Sequence, residues 1–362
     1  MKKVLFIDRD GTIIEEPEDE QVDSLDKLKF LPGVITALSG IMRETDFELV
    51  MVTNQDGLGT SSFPEENFWP VQNKMLQILE GEGVKFAEIF IDRSLPGDNA
   101  PTRKPGTAML TRYLAGGVDL DSSFVIGDRS SDLMMAKNLE CNAIYLSPER
   151  HPDAIFSTTD WKEIYHFLKK IPRKAVAVRN TRETSVAVEV NLDGTGKSII
   201  DTGIGFFDHM LGQIARHGSI DLNIKATGDL NVDLHHTIED VAIVLGESLS
   251  RALGTKKGIG RYGFLLPMDE SLAQVVIDLS GRPWIVWNVD FPCGNVGEIP
   301  SEMFFHFFKS FSDTAGCTIN ITATGENAHH KVEAVFKAFA KSLKMAVSKT
   351  DDFNLPSTKG IL

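Results

Sequence analysis

The chain has 362 residues, 42% of them hydrophobic and 24% charged, with a formal charge of -14. That length calls for two or more domains, each able to bury its own core. The negative charge, with no dense Lys/Arg run, excludes nucleic acid as a partner. Three widely spaced cysteines, Cys141, Cys293 and Cys317, argue against a disulfide framework and for a reducing compartment. The apolar run before Asp8, Val4–Ile7, is only four residues long, too few for a signal peptide or a membrane span. A cytoplasmic protein without membrane contact is therefore expected.

Through about residue 165, short apolar runs at Val4–Ile7, Leu49–Val52, Ile89–Ile91 and Phe124–Ile126 alternate with helical patterns. That is the rhythm of an α/β domain, a parallel sheet covered by helices. The first strand runs into Asp8-Arg9-Asp10-Gly11-Thr12 and the second into Thr53-Asn54-Gln55. A lysine follows in Arg103-Lys104-Pro105, and a later strand runs into Gly127-Asp128-Arg129-Ser130-Ser131-Asp132. Parallel sheets place their sites at such strand ends. Polar residues that merely end strands would explain any one of these features but not the ordered set. Gly57-Leu58-Gly59 alone is too weak a signal for a nucleotide.

In this order the four features resemble the haloacid dehalogenase superfamily of phosphatases. The resemblance implies a Rossmann-like domain, assigned here to residues 1–168, in which Asp8 attacks phosphorus and Asp10 protonates the leaving alcohol and later activates water. It implies Mg²⁺ held by Asp8, Asp128 and Asp10, the last through its backbone carbonyl, with Thr53 and Lys104 on the phosphate. Glu16, Asn54 and Arg103 would complete the substrate contacts. These phosphatases commonly carry a zinc loop of three cysteines and a histidine before the Arg-Lys-Pro segment. Asp92 to Thr102 contains neither residue type, with Asp92, Ser94, Ala100 and Thr102 at the corresponding places. No zinc is expected there.

The basic, proline-bearing stretch Lys169–Lys174 reads as a linker, with a second domain over 175–362. An alternating strand at Ser185–Val190 opens it, a helical stretch follows, and the arrangement recurs. Phe206-Phe207-Asp208-His209 is echoed by Phe304-Phe305-His306, and His235-His236-Thr237-Ile238-Glu239 by His329-His330-Lys331-Val332-Glu333. The first histidine precedes its pair by 26 residues in one copy and 23 in the other. Six of the nine histidines fall in these motifs, so they need a common task.

On a helix, a glutamate three or four positions on shares a face with either histidine of its pair, while the two adjacent histidines point about 100° apart. Each pair therefore serves two ions, and the pool of His209, His235, His236, Glu239, His306, His329, His330 and Glu333 divides into three imidazoles and one carboxylate per ion. Such a set suits six-coordinate Mn²⁺ or Fe²⁺ with open positions better than a closed zinc site. The second half of each site would come from another subunit.

Asp201-Thr202-Gly203-Ile204-Gly205-Phe206-Phe207-Asp208-His209, followed by the two histidine pairs, resembles imidazoleglycerol-phosphate dehydratase over essentially residues 175 to 362. The resemblance implies a duplicated α+β fold, a homo-oligomer of twenty-four subunits and two Mn²⁺ per subunit. It also implies metal-assisted loss of water with Glu183 as acid/base. The substrate phosphate would meet Gln213, Arg261, Arg282, Lys337, Ser357 and Lys359. Beside the dehydratase, the first domain reads as a histidinol-phosphate phosphatase, as in the bifunctional bacterial enzyme of histidine biosynthesis, with small phosphorylated imidazole compounds as substrates. The competing readings are a phosphatase domain that is inactive or directed at a sugar phosphate, and a histidine-rich metal-storage shell.

Overall fold

Strand β1 (Lys3–Ile7) is buried from Val4 to Ile7, as a parallel strand covered on both faces must be. The computed structural model describes residues 2–263, 266–291, 294–350 and 354–362. Its chain divides into two units, Met1–Ile171 and Pro172–Leu362.

In the first unit, β1 is followed by α1 (Val34–Glu44), β2 (Phe47–Asn54), α2 (Glu65–Gly81), β3 (Phe86–Asp92), α3 (Thr111–Leu114) and β4 (Phe124–Gly127). Helix α4 (Ser130–Asn138), β5 (Asn142–Tyr145), β6 (Phe156–Ser157) and α5 (Trp161–Lys169) complete it. The strands form one parallel sheet in the order β3-β2-β1-β4-β5-β6. Alternation along β1 divides the core. Leu5 and Ile7 join the cluster under α1, α2 and α5, while Val4 and Phe6 join the one under α3 and α4. The four strands expected from the apolar runs are all present, each longer than its run, because polar residues at the ends still pair in the ladder.

The junction is narrower than the linker expected over 169–174. Lys169 is the last residue of α5 and its ammonium bonds Glu44, while Lys174 already pairs with Asn191 in the next sheet. Ile171 packs on the first unit's core.

The second unit runs β7 (Lys174–Asn180), β8 (Thr184–Asn191), β9 (Ser198–Asp201), α6 (Gly205–Gly218), β10 (Asp221–Gly228) and α7 (His235–Leu253). There follow β11 (Tyr262–Gly263), β12 (Leu266–Met268), β13 (Ser271–Asp278), β14 (Trp284–Val289), the short pair β15 (Asn295–Val296) and β16 (Ile299–Pro300), α8 (Glu302–Ala315), β17 (Thr318–Thr324) and α9 (Ala328–Val347). One sheet is ordered β7-β8-β10-β9 and the other β11-β13-β17-β14, with β12 also on β13. In both, the central pair is antiparallel, β8 with β10 and β13 with β17, and the next neighbour, β9 or β14, is parallel. The element order and pairing of the first half thus recur in the second.

Strict alternation in β8 and β13 turns Val186, Val188 and Val190, and Ala273, Val275 and Ile277, toward the helices. The helices pack across the halves, α6 on α9 and α7 on α8, so both halves share a single core in which Phe207, Phe307 and Phe336 meet. Among the described residues no helix is long and apolar enough to cross a membrane. Cys141 and Cys317 are free thiols, and Cys293 lies outside the described residues.

Candidate active sites

In the first unit, the sheet order places the end of β1 between β2 and β4, with Ile7 level with Met51 and Ile126. Asp8 emerges there, its N–H donating to the Ile126 carbonyl at 2.9 Å. Asp8, Asp128 and Asp132 bring carboxylate oxygens within 4.8 Å of one another. Two glycines make the room. A Cβ on Gly11, whose φ is +71°, would strike the Asp128 carboxylate, and one on Gly127 would strike that of Asp132.

The Lys104 ammonium lies 2.6 Å from Asp8 and 2.7 Å from Asp132, all three side chains being buried. Two of the three carboxylates thus share one ammonium. Burial, reinforced by the neighbouring Asp132 charge, raises the carboxyls of Asp8 and Asp128 above the usual range, although Lys104 pulls Asp8 the other way. Burial alone would lower the Lys104 ammonium, but the two carboxylates hold it above its ordinary value. A divalent cation would offset the negative charge of the group, so this donor set fits hard-metal binding.

Asp10 points elsewhere. One carboxylate oxygen accepts from Arg9 Nη1 at 2.5 Å and the other from Gln55 Nε2 at 2.6 Å, and Gln55 also donates to Thr53 Oγ1 at 2.8 Å. Its carboxylate therefore stands outside the acidic group, which includes Asp132 in its place. Arg9 is fully buried, its guanidinium 5.1 Å from the centre of the Phe68 ring.

The adjoining cleft is lined by Asp8, Asp10, Glu16, Thr53, Asn54, Arg103 and Lys104, and also by Asp19, Glu20, Asp56 and Arg129. Both Glu16 oxygens accept from Arg129 Nη2 at 2.6 Å. The amide of Asn54 is spent on the main chain of Lys104, accepting from its N–H at 3.0 Å and donating to its carbonyl at 3.4 Å. That clip holds the lysine where it reaches Asp8. Arg103 spans Asp56 and the Ser94 carbonyl, and the Asp92 carboxylate accepts from Ser94 N–H at 3.0 Å. Polar bonds shape this loop where related phosphatases are expected to use zinc.

In the second unit, α7 starts at His235, and its Nε2 lies 3.4 Å from Glu239, one turn on. His329 and Glu333 on α9 repeat the distance. Because α7 packs on α8, the His306 ring lies 4.8 Å from that of His235. His209 stands on α6, which packs on α9, the helix that carries Glu333. Burial would raise the Glu333 carboxyl, but Lys337, 2.7 Å away, and the imidazoles of His209 and His329 keep it below its ordinary range.

The pool of eight thus falls into two mixed trios: His235 in contact with Glu239 and His306, and His329 in contact with Glu333, with His209 on the helix packed against theirs. Imidazole and carboxylate in each trio fit a divalent transition metal. The remaining two histidines meet other carboxylates, His236 Nδ1 lying 3.2 Å from Asp229 and His330 Nδ1 2.9 Å from Glu270. Among the described residues, only the acidic group of the first unit brings three ligand atoms within 4.8 Å of one another, so neither trio is a closed site within one chain.

Glu183, 57% exposed at its side chain, lies 3.7 Å from His236 Nδ1. Gln213 stands between His209, at 3.4 Å, and His217, at 3.1 Å. Arg261 bonds Asp278 at 2.6 and 3.0 Å and the Pro356 carbonyl at 2.7 Å, which anchors the tail just before Ser357. Ser357 Oγ accepts from Lys359 N–H at 3.3 Å, and Arg282 is exposed beside its turn. Lys337 is turned to Glu333.

Residues 202–343 match the family model for imidazoleglycerol-phosphate dehydratase, and residues 3–162 that for polynucleotide kinase 3 phosphatase. The histidine biosynthesis bifunctional protein HisB of Spirosoma linguale is 56% identical, with 100% of each chain covered. The chain belongs to this bifunctional family. Among solved structures, the imidazoleglycerol-phosphate dehydratase of Staphylococcus aureus is 37% identical over 49% of this chain and 99% of its own, with a TM-score of 0.45. The D,D-heptose 1,7-bisphosphate phosphatase of B. bronchiseptica, complexed with magnesium and phosphate, is 26% identical over 46% of this chain and 97% of its own, with a TM-score of 0.42.

The protein is accordingly an enzyme of histidine biosynthesis, a metal-dependent lyase joined to a hydrolase of the haloacid dehalogenase type, acting on small phosphorylated compounds. Sequence reasoning did not assign Asp132, Gln55, Arg9 or Arg129. For Asp132 the signal was available: four residues after Asp128 and in the first turn of α4, it returns to the same strand end.

Proposed function

We propose that the second unit dehydrates imidazoleglycerol phosphate to imidazole-acetol phosphate and that the first hydrolyses histidinol phosphate to histidinol and phosphate. What carries this reading is that one chain holds both sites separately built, an acid-lined strand-end site around Asp8 and paired histidine-carboxylate trios on crossed helices.

In the phosphatase unit an oxygen of Asp8 attacks phosphorus as the ester bond to the alcohol breaks, and Asp10 gives the departing oxygen its proton. Asp10 then takes a proton from the water that cleaves the aspartyl-phosphate. Asp8, Asp128 and the Asp10 carbonyl would hold Mg²⁺, which supplies charge neutralisation at the phosphate. Lys104 and Thr53 hold phosphate oxygens, and Asn54 and Arg103 keep the lysine loop in place. Glu16, with Asp19, Glu20 and Asp56 along the same cleft, suits a phosphate ester carrying an ammonium and an imidazole better than a neutral sugar phosphate. The loop from Asp92 to Thr102 needs no zinc in this reading.

In the dehydratase unit Glu183 moves the proton between the substrate carbons and the departing hydroxyl, and the resulting enol ketonises with net loss of water. Gln213, Arg261, Arg282, Lys337, Ser357 and Lys359 bind the phosphate. His209, His235, His236, Glu239, His306, His329, His330 and Glu333 would hold two Mn²⁺ per subunit, which would supply polarisation of the substrate imidazole. Each trio is completed by the remaining histidine of another subunit, in a shell of twenty-four chains in the cytoplasm.

The test is phosphate release from histidinol phosphate with Mg²⁺, comparing the protein with Asp8→Asn in preparations whose Mn²⁺-dependent dehydration is confirmed. Phosphate release lost only in the variant, with dehydration kept, is expected. No release from the unaltered protein would refute the phosphatase assignment.

A further inference from the structure

The two halves of the second unit place carboxylates around His236 and His330 differently. Glu183 directly precedes β8 and Glu270 directly precedes β13, so the two occupy equivalent positions in the recurring halves. Asp229 in Ala226-Thr227-Gly228-Asp229 and Glu326 in Ala323-Thr324-Gly325-Glu326 form a second equivalent pair.

In the first half, Asp229 takes Nδ1 of His236, with both oxygens at 3.2 Å, and Glu183 stands back at 3.7 Å. In the second half the choice is reversed. Glu270 takes Nδ1 of His330 at 2.9 Å, and its other oxygen is fixed by the Asn327 N–H at 3.1 Å and the Ser271 hydroxyl at 3.2 Å.

An ionised carboxylate can only accept, so the ring nitrogen facing it carries the hydrogen and Nε2 keeps the lone pair that a metal requires. Building on the assignment of these histidines as metal ligands, we propose that Asp229 and Glu270 are the positioning residues that fix the tautomer and ring orientation of His236 and His330. Drawing them from non-equivalent places leaves Glu183 uncommitted for proton transfer, while its counterpart Glu270 is tied down by three bonds. The duplication therefore left the two halves unequal: the carboxylate at the Glu183 position stands back from its histidine, and its counterpart Glu270 is bonded to one.

The experiment is a Mn²⁺ titration of the whole protein, following unbound aqueous Mn²⁺ by its electron paramagnetic resonance signal, on the unaltered chain, Asp229→Asn, Glu270→Gln, Glu270→Leu and Glu183→Gln. Glu270→Leu is expected to weaken one ion per chain by roughly 10- to 100-fold, with Glu270→Gln, which keeps an acceptor, intermediate. Asp229→Asn weakens the other ion, and Glu183→Gln binds both normally while losing dehydration. Of the three positions, Glu183 and Glu270 are exposed and Asp229 is partly exposed, so the near-isosteric amides test the idea even if the leucine variant misfolds. Unchanged Mn²⁺ affinity in Asp229→Asn and in both Glu270 variants would overturn the proposal alone. An unaltered chain that binds no Mn²⁺ would overturn the metal assignment and this proposal with it.

Discussion

At the scale of single residues, Lys104 decides the state of the phosphatase site. Its ammonium is the cation shared by Asp8 and Asp132 in a buried setting, and removing one partner of a buried ionic group leaves the others uncompensated. Lys104→Met should destabilise the first unit by about 3 to 5 kcal/mol in metal-free buffer. Added Mg²⁺ should recover part of that loss, because it supplies positive charge at the same carboxylates; denaturant titration with and without Mg²⁺ measures both. Asn54 works through the same lysine, whose main chain it clips.

At the scale of elements, two close approaches hold the dehydratase unit. Helices α7 and α8 meet at Gly246, where a Cβ would strike the Thr314 hydroxyl and come within 2.8 Å of the Phe311 carbonyl. Gly246→Val should cost about 1 to 3 kcal/mol by overpacking and, by parting the helices that carry His235 and His306, should weaken Mn²⁺ binding; urea unfolding and metal titration read the two effects. At the start of β10, the Asp221 carboxylate accepts from the N–H groups of Thr195, Gly196 and Lys197 at 2.8, 3.1 and 3.0 Å. Burial is the largest single influence and opposes this, yet these bonds, together with one from Asn191, lower its pKa from 3.8. A depressed carboxyl contributes stability that is present above pH 3.8 and lost as pH falls through the folded value below it. Asp221→Asn should therefore lower the melting temperature at pH 6, by an amount equivalent to about 1 to 2 kcal/mol. The difference from the unaltered protein should shrink on acidification below pH 3.8, as thermal scans at several pH values would record.

At the scale of the whole molecule, each unit has its own core, so two unfolding transitions are expected. The outer sheet faces of the second unit expose Val176, Val178 and Ile199 on one side and Leu272, Val276 and Trp284 on the other, apolar surface suited to burial between subunits. On the proposal that another chain completes each metal trio, chelation should reduce the assembled mass in light scattering and lower the transition of the second unit, while the first unit's transition in the absence of Mg²⁺ stays where it was. A chelated sample of unchanged mass would count against metal-bridged assembly.

The sequence by itself determined the local chemistry: the Asp8-Arg9-Asp10 strand end, the lysine and Asp128 in order, the two His-His-x-x-Glu helices with their upstream histidines, and the strand alternation that gives each sheet a core face. Those features were legible because helix and strand periods fix which neighbours share a face. Only the tertiary structure decided that Asp132 joins Asp8 and Asp128 while the Asp10 carboxylate turns to Arg9 and Gln55, that the trios mix one half with the other, and that Glu270 is bound where Glu183 is not. These choices follow from which helices bury their apolar faces against each other, α6 on α9 and α7 on α8, and from where a buried lysine finds its carboxylates. Both depend on contacts far apart along the chain, which no local spacing records.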